Sequence, residues 1–230
     1  MPFKDVFVKL GAFVVILLKM TKQERALEVA KLLKQEHPNP KTELNQENEM
    51  QLAVAVCLSA QTTDKKVNQV TESLFKKYKS WEDFANADLE EMQKDIHGVN
   101  FHKGKADRLI KMAQKVISDF GGKLPRTLGE LITLPGIARK SANVILNEAW
   151  DLTEGIVVDT HVTRVSNRLG LTSEKDAVKI ERDLMELFPK DSWRNISGAV
   201  VLHGRYVCTA AKPDCANCVL NEICPSAFKV

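Results

Sequence analysis

The stretch from Thr127 to Arg164 constrains the fold more than any other part of the sequence. It begins TLGELITLPGIARKSANVIL, in which a short helix capped at its start ends at Leu134-Pro135-Gly136. Proline disfavours helix in the residue before it, and glycine permits a left-handed turn. A second helix is predicted from about Ala138, because apolar residues recur there at helical spacing. We therefore predict two helices joined by a tight hairpin, with outward-pointing amides that favour an anion such as a phosphate.

Two residues of this stretch carry reactive side chains. Lys140 lies in the first turn of the second helix, where the positive helix end and Arg139 both disfavour the protonated amine. Only a neutral amine attacks carbon, so this position suits Schiff-base chemistry. Asp159 follows a β-branched run and precedes Thr160, where a carboxylate can cap a helix, act as a base or stabilise a positive charge. A solvated lysine and a plain helix cap are the alternative interpretations.

Charge and length set broad limits on the protein. The formal charge of +3 is a mild basic excess, so binding to nucleic acid would depend on local phosphate contacts. The 230 residues suffice for one large domain or two small ones. At the N-terminus, the apolar run from Leu10 to Leu18 is too short for a membrane span. We interpret residues 1–19 as an extension upstream of a natural start at Met20, with a signal peptide or a packed helix as alternatives.

Several helices can be placed from their apolar content and caps. Met50 to Leu58 is apolar all round and predicts a central buried helix, in which Cys57 is an inert core thiol. Gln61 falls in the polar break that follows, where a glutamine ordinarily faces solvent. Phe101, in a later basic loop, would by default anchor the core. Ser173 is predicted to cap a late helix that stops before Pro189.

Four of the five cysteines form an array near the C-terminus. Cys208, Cys215, Cys218 and Cys224 are separated by six, two and five residues. Four thiolates can surround one metal centre, either a 4Fe-4S cluster or a tetrahedral zinc ion. Zinc sites more often show two CxxC pairs, and only one is present here, so the spacing favours iron and sulfur while leaving zinc open. Either centre points to a reducing compartment.

These pieces together resemble the helix-hairpin-helix DNA glycosylases. The matching segments are LPGIARKSANVIL, VDTHVTRV, HPNPKTELN, LSAQTTDKKVN, LHGRY and the cysteine array, which extend from about Thr21 to Cys224. The family usually has a second hairpin glycine where this chain has Ala138, a departure that bears on phosphate affinity. The family also usually has a glycine directly before the residue that corresponds to Phe101. Asn100 occupies that position here, and we expect it to adopt the left-handed conformation.

The resemblance implies an all-α fold with two domains. A six-helix barrel that carries the hairpin is expected at residues 42–152. An iron-sulfur cluster domain is expected from both chain ends, residues 20–41 and 153–230, with the active-site cleft between the two domains. It also implies that the four cysteines hold a 4Fe-4S cluster.

The resemblance also implies a role for each candidate residue. Lys140 corresponds to the nucleophile and Asp159 to the catalytic carboxylate. Gln61 and Phe101 correspond to side chains that enter the duplex near the flipped base, and Lys212 would touch a phosphate, a contact that Asp214 would weaken. The hairpin residues expected to bind DNA are Leu134, Pro135, Gly136, Ile137, Ala138 and Arg139.

The implied activity is that of a bifunctional DNA glycosylase and AP lyase acting on oxidised pyrimidines. The expected partner is damaged double-stranded DNA, with no membrane involved, and the expected state is a monomer in the cytoplasm at the nucleoid. Three alternatives are a monofunctional mismatch glycosylase, a non-catalytic hairpin protein that grips phosphate, and a zinc-stabilised structural protein. Lys140 argues against the first, because relatives of that kind generally lack the lysine. The pair of Lys140 and Asp159 argues against the second, and a brown purified protein would exclude the third.

Overall fold

A computed structural model describes residues 20–229, and all regular secondary structure within them is helical. The all-α prediction is therefore confirmed, and the predicted extension at residues 1–19 lies outside the described residues. Among the helices described, none has the length and apolar character needed to cross a membrane. The helices are α1 (Lys22–Glu36), α2 (Glu49–Ser59), α3 (Asp64–Lys77), α4 (Trp81–Ala85), α5 (Leu89–Asp95), α6 (His102–Phe120), α7 (Leu128–Leu131), α8 (Arg139–Trp150), α9 (Thr160–Arg168), α10 (Ala177–Leu187), a 3-10 turn (Lys190–Ser192) and α11 (Trp193–Tyr206).

Residues 42–154 form one compact unit with its own core. Its central helix is α2, in which every residue from Met50 to Leu58 is buried, as the all-round apolar sequence predicts. Helix α2 packs against α3, α6 and α8, and α6 in turn contacts α4 and α5. The long helix α6 ends where Gly121 adopts a left-handed backbone, because a residue without Cβ accepts that conformation at little cost.

The second compact unit contains, of the described residues, 20–41 and 155–229. Helix α11 contacts both α1 and α9, and α10 contacts α1. Gly204 of α11 permits the close approach to α9, since a Cβ there would lie 2.9 Å from the His161 Cβ. The described residues beyond α11, 207–229, contain no long helix, and they contribute Leu220 and Ile223 to the core of this unit.

Side-chain caps begin most of these helices. Thr21 and Glu24 make a capping box at the start of α1, in which the Thr21 backbone amide donates to Glu24 Oε2 at 2.7 Å. Thr63 caps α3. The prediction for α10 is wrong, because Asp176 and not Ser173 accepts from the first-turn amides of that helix. Asp176 stands directly before the first helical residue, which is the position from which a side chain reaches those amides.

Candidate active site and cysteine centre

The hairpin between α7 and α8 has the predicted tight turn. The Ile137 amide donates to the Leu134 carbonyl at 3.1 Å, with Pro135 and Gly136 as the two central residues and a φ of 87° at Gly136. Proline followed by a left-handed glycine is the arrangement of a type II turn. The side chains of Leu134 and Ile137 are buried in the core. The Leu134 amide also donates within the chain, to the Leu131 carbonyl at 3.1 Å, so these two residues offer DNA neither a side chain nor a free amide.

The outward side of the hairpin is formed by exposed residues. Gly136, Ala138 and Arg139 are exposed, and Pro135 is half-buried. Ala138 has φ −91° and ψ 169°, an extended conformation that alanine adopts without strain. It is the N-cap residue of α8 and offers no side-chain cap to the first-turn amides. The missing second glycine therefore leaves the turn unstrained, and the helix start keeps the character of an anion site.

Gly136 is required by close packing as well as by its backbone angle. A Cβ added there would lie 2.6 Å from Cys57 Sγ, inside van der Waals contact, and 3.5 Å from the Arg108 Cβ. Cys57 is itself buried in α2, and burial raises the pKa of its thiol to about 11. Its prediction as an inert core residue agrees with this environment.

Replacing Gly136 by alanine is expected to destabilise the protein by about 2–5 kcal/mol, from the left-handed strain plus overpacking against the Cys57 sulfur. DNA binding should weaken in parallel, because the turn that presents the hairpin amides would shift. Chemical denaturation and DNA titration measure the two effects.

Gly129→Ala is the matched control for this substitution. No atom lies within 4 Å of the Cβ it would gain, and its φ is not in the left-handed range, so stability should stay unchanged or rise. The double variant Cys57→Ala, Gly136→Ala should recover part of the loss by relieving the sulfur contact. A Gly136→Ala protein as stable as the parent would contradict this account of the turn.

Lys140 lies in the first turn of α8, directly after the hairpin. Its side chain is exposed and makes no hydrogen bond or ion pair with the described residues. The amine is thus available at the surface beside the hairpin turn.

Asp159 is the N-cap of α9. Its Oδ1 accepts from the amides of His161 at 2.8 Å and Val162 at 2.9 Å, and no described residue donates to Oδ2. The cap interpretation is therefore right for one oxygen, and the second oxygen stays available for a proton or a positive charge. Lys140 belongs to the unit of residues 42–154 and Asp159 to the other unit.

Gln61 and Phe101 lie together on the surface of the first unit. Both side chains are exposed, and both line an open depression of about 620 Å³, here called the wedge depression. The default expectation that Phe101 anchors the core is wrong, because the residue is 67% exposed. The residues that line the wedge depression are Ala60, Gln61, Phe101, His102, Lys103, Gly104, Lys105 and Arg108.

The backbone at both loops is left-handed. Gln61 has φ 55° and Phe101 has φ 57°, whereas Asn100 does not have a positive φ. The left-handed conformation that was expected at Asn100 is therefore found one residue later, at Phe101. The Asn100 side-chain amide donates to the Gln61 carbonyl and its backbone amide donates to Thr62 Oγ1 at 3.1 Å, and these bonds hold Asn100 in its observed position.

The four cysteines of the array surround one cavity in the second unit. Among the described residues, no three of their sulfurs lie within 4.8 Å of one another. Four thiolates on one tetrahedral zinc ion would lie about 3.8 Å apart, as follows from zinc-sulfur bonds of about 2.3 Å. The four sulfurs are therefore spaced more widely than the ligands of one tetrahedral zinc ion.

Three further side chains support this array. Arg168 of α9 donates to Cys208 Sγ at 3.3 Å and to the Thr209 carbonyl at 2.7 Å. His203 of α11 is 1% exposed, with Nε2 3.4 Å from Cys218 Sγ and Nδ1 3.0 Å from Glu36 Oε2. Burial lowers the pKa of His203 and raises the pKa of Cys218 to about 11.

The loop between Cys208 and Cys215 presents Lys212 to solvent. The Lys212 carbonyl accepts from the Thr209 hydroxyl at 2.7 Å, which tightens the loop and leaves the amine outside. Asp214 accepts from the Asn217 backbone and side-chain amides at 3.3 and 2.9 Å. That carboxylate therefore shapes the turn between Cys215 and Cys218.

Some residues of these sites were not identified from the sequence. Arg164 donates to the carbonyls of Gly204 at 2.6 Å and Cys208 at 3.1 Å, and together with Arg168 it holds the start of the cysteine loop. The two arginines are four residues apart on one helix face, which was an available signal. Arg108 was likewise not predicted as a site residue, although it lines the wedge depression beside Gly136.

Most of the chain is similar to known DNA repair proteins, both in sequence and in structure. The profile of the HhH-GPD superfamily of base excision DNA repair proteins matches residues 54–190. Endonuclease III of Synechocystis sp. is 44% identical over 213 residues, which cover 92% of this chain and 97% of that protein. Endonuclease III of Bacillus subtilis is also 44% identical, over 193 residues that cover 84% of this chain and 88% of that protein. The structure of a trapped endonuclease III-DNA covalent intermediate matches with a TM-score of 0.86 and 36% identity, covering 91% of this chain and 98% of that one.

Proposed function

The chain belongs to the HhH-GPD superfamily of base excision DNA repair proteins, and from that premise we propose that it is a bifunctional DNA glycosylase and AP lyase. Its substrate is damaged duplex DNA, in which it removes an oxidised pyrimidine and then cuts the strand. The observation that carries the proposal is the exposed amine of Lys140, placed in the first helical turn after a hairpin whose backbone suits a phosphate. A protein that only gripped phosphate would have no use for that amine.

Lys140 is proposed as the nucleophile. Its neutral Nζ forms a bond to the sugar C1′, while the C1′–N bond breaks and its electron pair leaves with the base. Opening of the sugar ring then gives a protonated Schiff base between Nζ and C1′. Loss of a proton from C2′ sends electrons toward that cation and breaks the C3′–O bond, so the 3′ phosphate leaves and the strand is nicked. Hydrolysis of the Schiff base returns the free lysine.

Asp159 is proposed as the carboxylate that assists these steps. Two backbone amides fix its Oδ1, so the group is oriented by the start of α9 and does not depend on a flexible side chain. Its Oδ2 can take up the proton released by the lysine or stabilise the positive charge that develops on the sugar as the base leaves.

The DNA contacts are proposed on both units. The hairpin from Leu134 to Arg139 binds a backbone phosphate through its outward amides and the Arg139 side chain, and Lys212 adds a contact from the cysteine loop. Gln61 and Phe101 fill the space left when the damaged nucleotide is flipped out, because an apolar wedge stabilises an unstacked base step. The exposed Arg108 lies in position to join the hairpin contact.

We propose that the cysteine array holds a 4Fe-4S cluster, with Cys208, Cys215, Cys218 and Cys224 as ligands. The support is the wide spacing of the four sulfurs around one cavity, which suits a cluster and not a single ion. When bound, the cluster supplies structural cross-linking of a C-terminal segment that has few core residues of its own. We assign residues 42–152 to the barrel domain and residues 20–41 and 153–230 to the cluster domain. Because its substrate is chromosomal DNA, we propose that the enzyme works at the nucleoid.

Borohydride trapping tests the proposed function directly. The purified protein is mixed with a duplex that carries one oxidised pyrimidine, with an abasic duplex and with an undamaged duplex, and the Schiff base is reduced in place. We expect a covalent adduct on the first two duplexes and none on the third. An adduct on the abasic duplex alone would show a lyase with a different base preference. An absence of adducts on all three would favour a binding protein.

A further inference from the structure

Lys105 is a buried lysine for which the chemistry above has no use. It lies on α6 with 2% of its surface exposed, and its ammonium donates to the Leu58 carbonyl at 2.7 Å, the Ala60 carbonyl at 2.7 Å and Thr62 Oγ1 at 3.1 Å. A buried ammonium is costly unless its hydrogens are paired, and here three acceptors match its three hydrogens. Among the described residues, no carboxylate forms an ion pair with it. Its partners are all at the end of α2 and in the loop that follows.

The hydrogen bonds of Lys105 continue into the Phe101 loop. Thr62 Oγ1, which accepts from Lys105, also accepts from the Asn100 backbone amide at 3.1 Å. The Asn100 side chain returns a hydrogen bond to the Gln61 carbonyl. One network therefore joins the residues on either side of Gln61 to the residue before Phe101.

Gln61 and Phe101 need such a network because both adopt a left-handed backbone. That backbone conformation is unfavourable for residues other than glycine, and it persists only where the surrounding structure imposes it. Both side chains are exposed, so they contribute little packing of their own. The backbone contacts around them, which converge on Lys105, must therefore hold the conformation.

We propose that Lys105 is a positioning residue that holds Gln61 and Phe101 ready to enter the duplex. The proposal rests on the proposed function, in which these two side chains fill the space of the flipped nucleotide. By ordering both loops when the protein folds, the lysine removes that entropic cost from DNA binding. It acts on the flipping step and does not touch the reacting atoms.

The test replaces Lys105 by methionine, which keeps the length and apolar stem of the side chain but donates no hydrogen bond. The probe is a duplex that carries a tetrahydrofuran abasic analogue opposite 2-aminopurine, whose fluorescence rises when it unstacks and which undergoes no covalent step. We expect the fluorescence rise seen with the parent protein to be lost in Lys105→Met, and trapping on a paired abasic site to slow by about 10–100-fold. Trapping on the same lesion in an unpaired loop should change by less than about threefold, because that lesion needs no unstacking.

Three further variants separate a positioning role of Lys105 from a general effect of its loss on folding. Lys111→Met changes an exposed lysine of the same helix, which pairs with Asp107 at 2.9 Å, and should leave every readout unchanged. Thr62→Val removes the shared acceptor without unburying a charge and should act in the same direction as Lys105→Met. In a Phe101→Ala background, Lys105→Met should add little further loss if it acts through that loop.

Three results would overturn the proposal. A Lys105→Met protein with a normal fluorescence rise would show that the loops are held without it. Equal loss of trapping on the paired and unpaired lesions would show a purely structural role. Absence of a fluorescence rise with the parent protein would show that Gln61 and Phe101 do not enter the duplex, while the borohydride adducts would still decide the glycosylase and lyase activities separately.

Discussion

Lys140→Gln is expected to abolish borohydride trapping on both the oxidised and the abasic duplex. The variant keeps a polar side chain of similar reach, but an amide nitrogen cannot form a Schiff base with C1′. Strand cleavage should fall on the order of 10⁴-fold or more, as is usual when the nucleophile is removed. DNA affinity should change by less than about tenfold, because the hairpin amides, Arg139 and the wedge residues are untouched. Trapping gels and a binding titration on an uncleavable abasic duplex measure the two quantities.

Asp159→Asn is the companion variant for Lys140→Gln. Asparagine caps a helix about as well as aspartate, so α9 should keep its start and the protein its fold. The adduct should then form slowly, because the lysine remains but the charged assistance is lost. Survival of full trapping in Lys140→Gln would mean that another amine of the chain is the nucleophile, and the assignment would be wrong.

Cys218→Ala is expected to cost the protein its metal and most of the stability of its C-terminal segment. Cys218 is half-buried and contacts His203, and the segment that follows offers few apolar residues to the core. Loss of one ligand should leave less than half of the iron and sulfide bound and lower the melting temperature by about 10 °C or more, since metal binding in such sites is coupled directly to folding. The parent protein should hold roughly four iron atoms and four acid-labile sulfides per chain.

Cys57→Ala is the matched control for the cluster ligand. Cys57 is the fifth cysteine, buried in α2 and outside the array, so its loss should leave the iron and sulfide content unchanged. Zinc in place of iron in the parent protein would contradict the assignment of the cluster. Full iron content in Cys218→Ala would show instead that the array does not act through this residue.

Local sequence signals predicted much of the fold. The side chains of Thr21 and Thr63 accept hydrogen bonds from backbone amides three residues later, and the hairpin depends on the backbone angles that proline and glycine prefer. The run from Met50 to Leu58 is apolar on every side of its helix, so it is buried whichever segments pack against it. Each of these signals acts over a few residues, and for that reason it can be read without the tertiary structure.

Features that depend on residues far away in the sequence were either not predicted or predicted at the wrong residue. Lys105 falls at helical spacing with Leu109, Met112 and Val116, so its burial on the apolar face of α6 could have been predicted. Its acceptors lie more than forty residues earlier in the chain, and nothing in the local sequence indicates them. The left-handed backbone of Phe101 likewise depends on contacts with the Gln61 loop.

The sequence by itself determined most of the helices, the hairpin and the presence of four clustered cysteines and of a lysine at a helix start, because these follow from residue type and short spacing. Only the tertiary structure decided how the four sulfurs are spaced around their cavity, which oxygen of Asp159 is used by the helix start, and which buried lysine holds the loops of Gln61 and Phe101. Those outcomes are set by packing between segments far apart in the chain. The geometry of a metal site or a strained loop exists only once those segments meet.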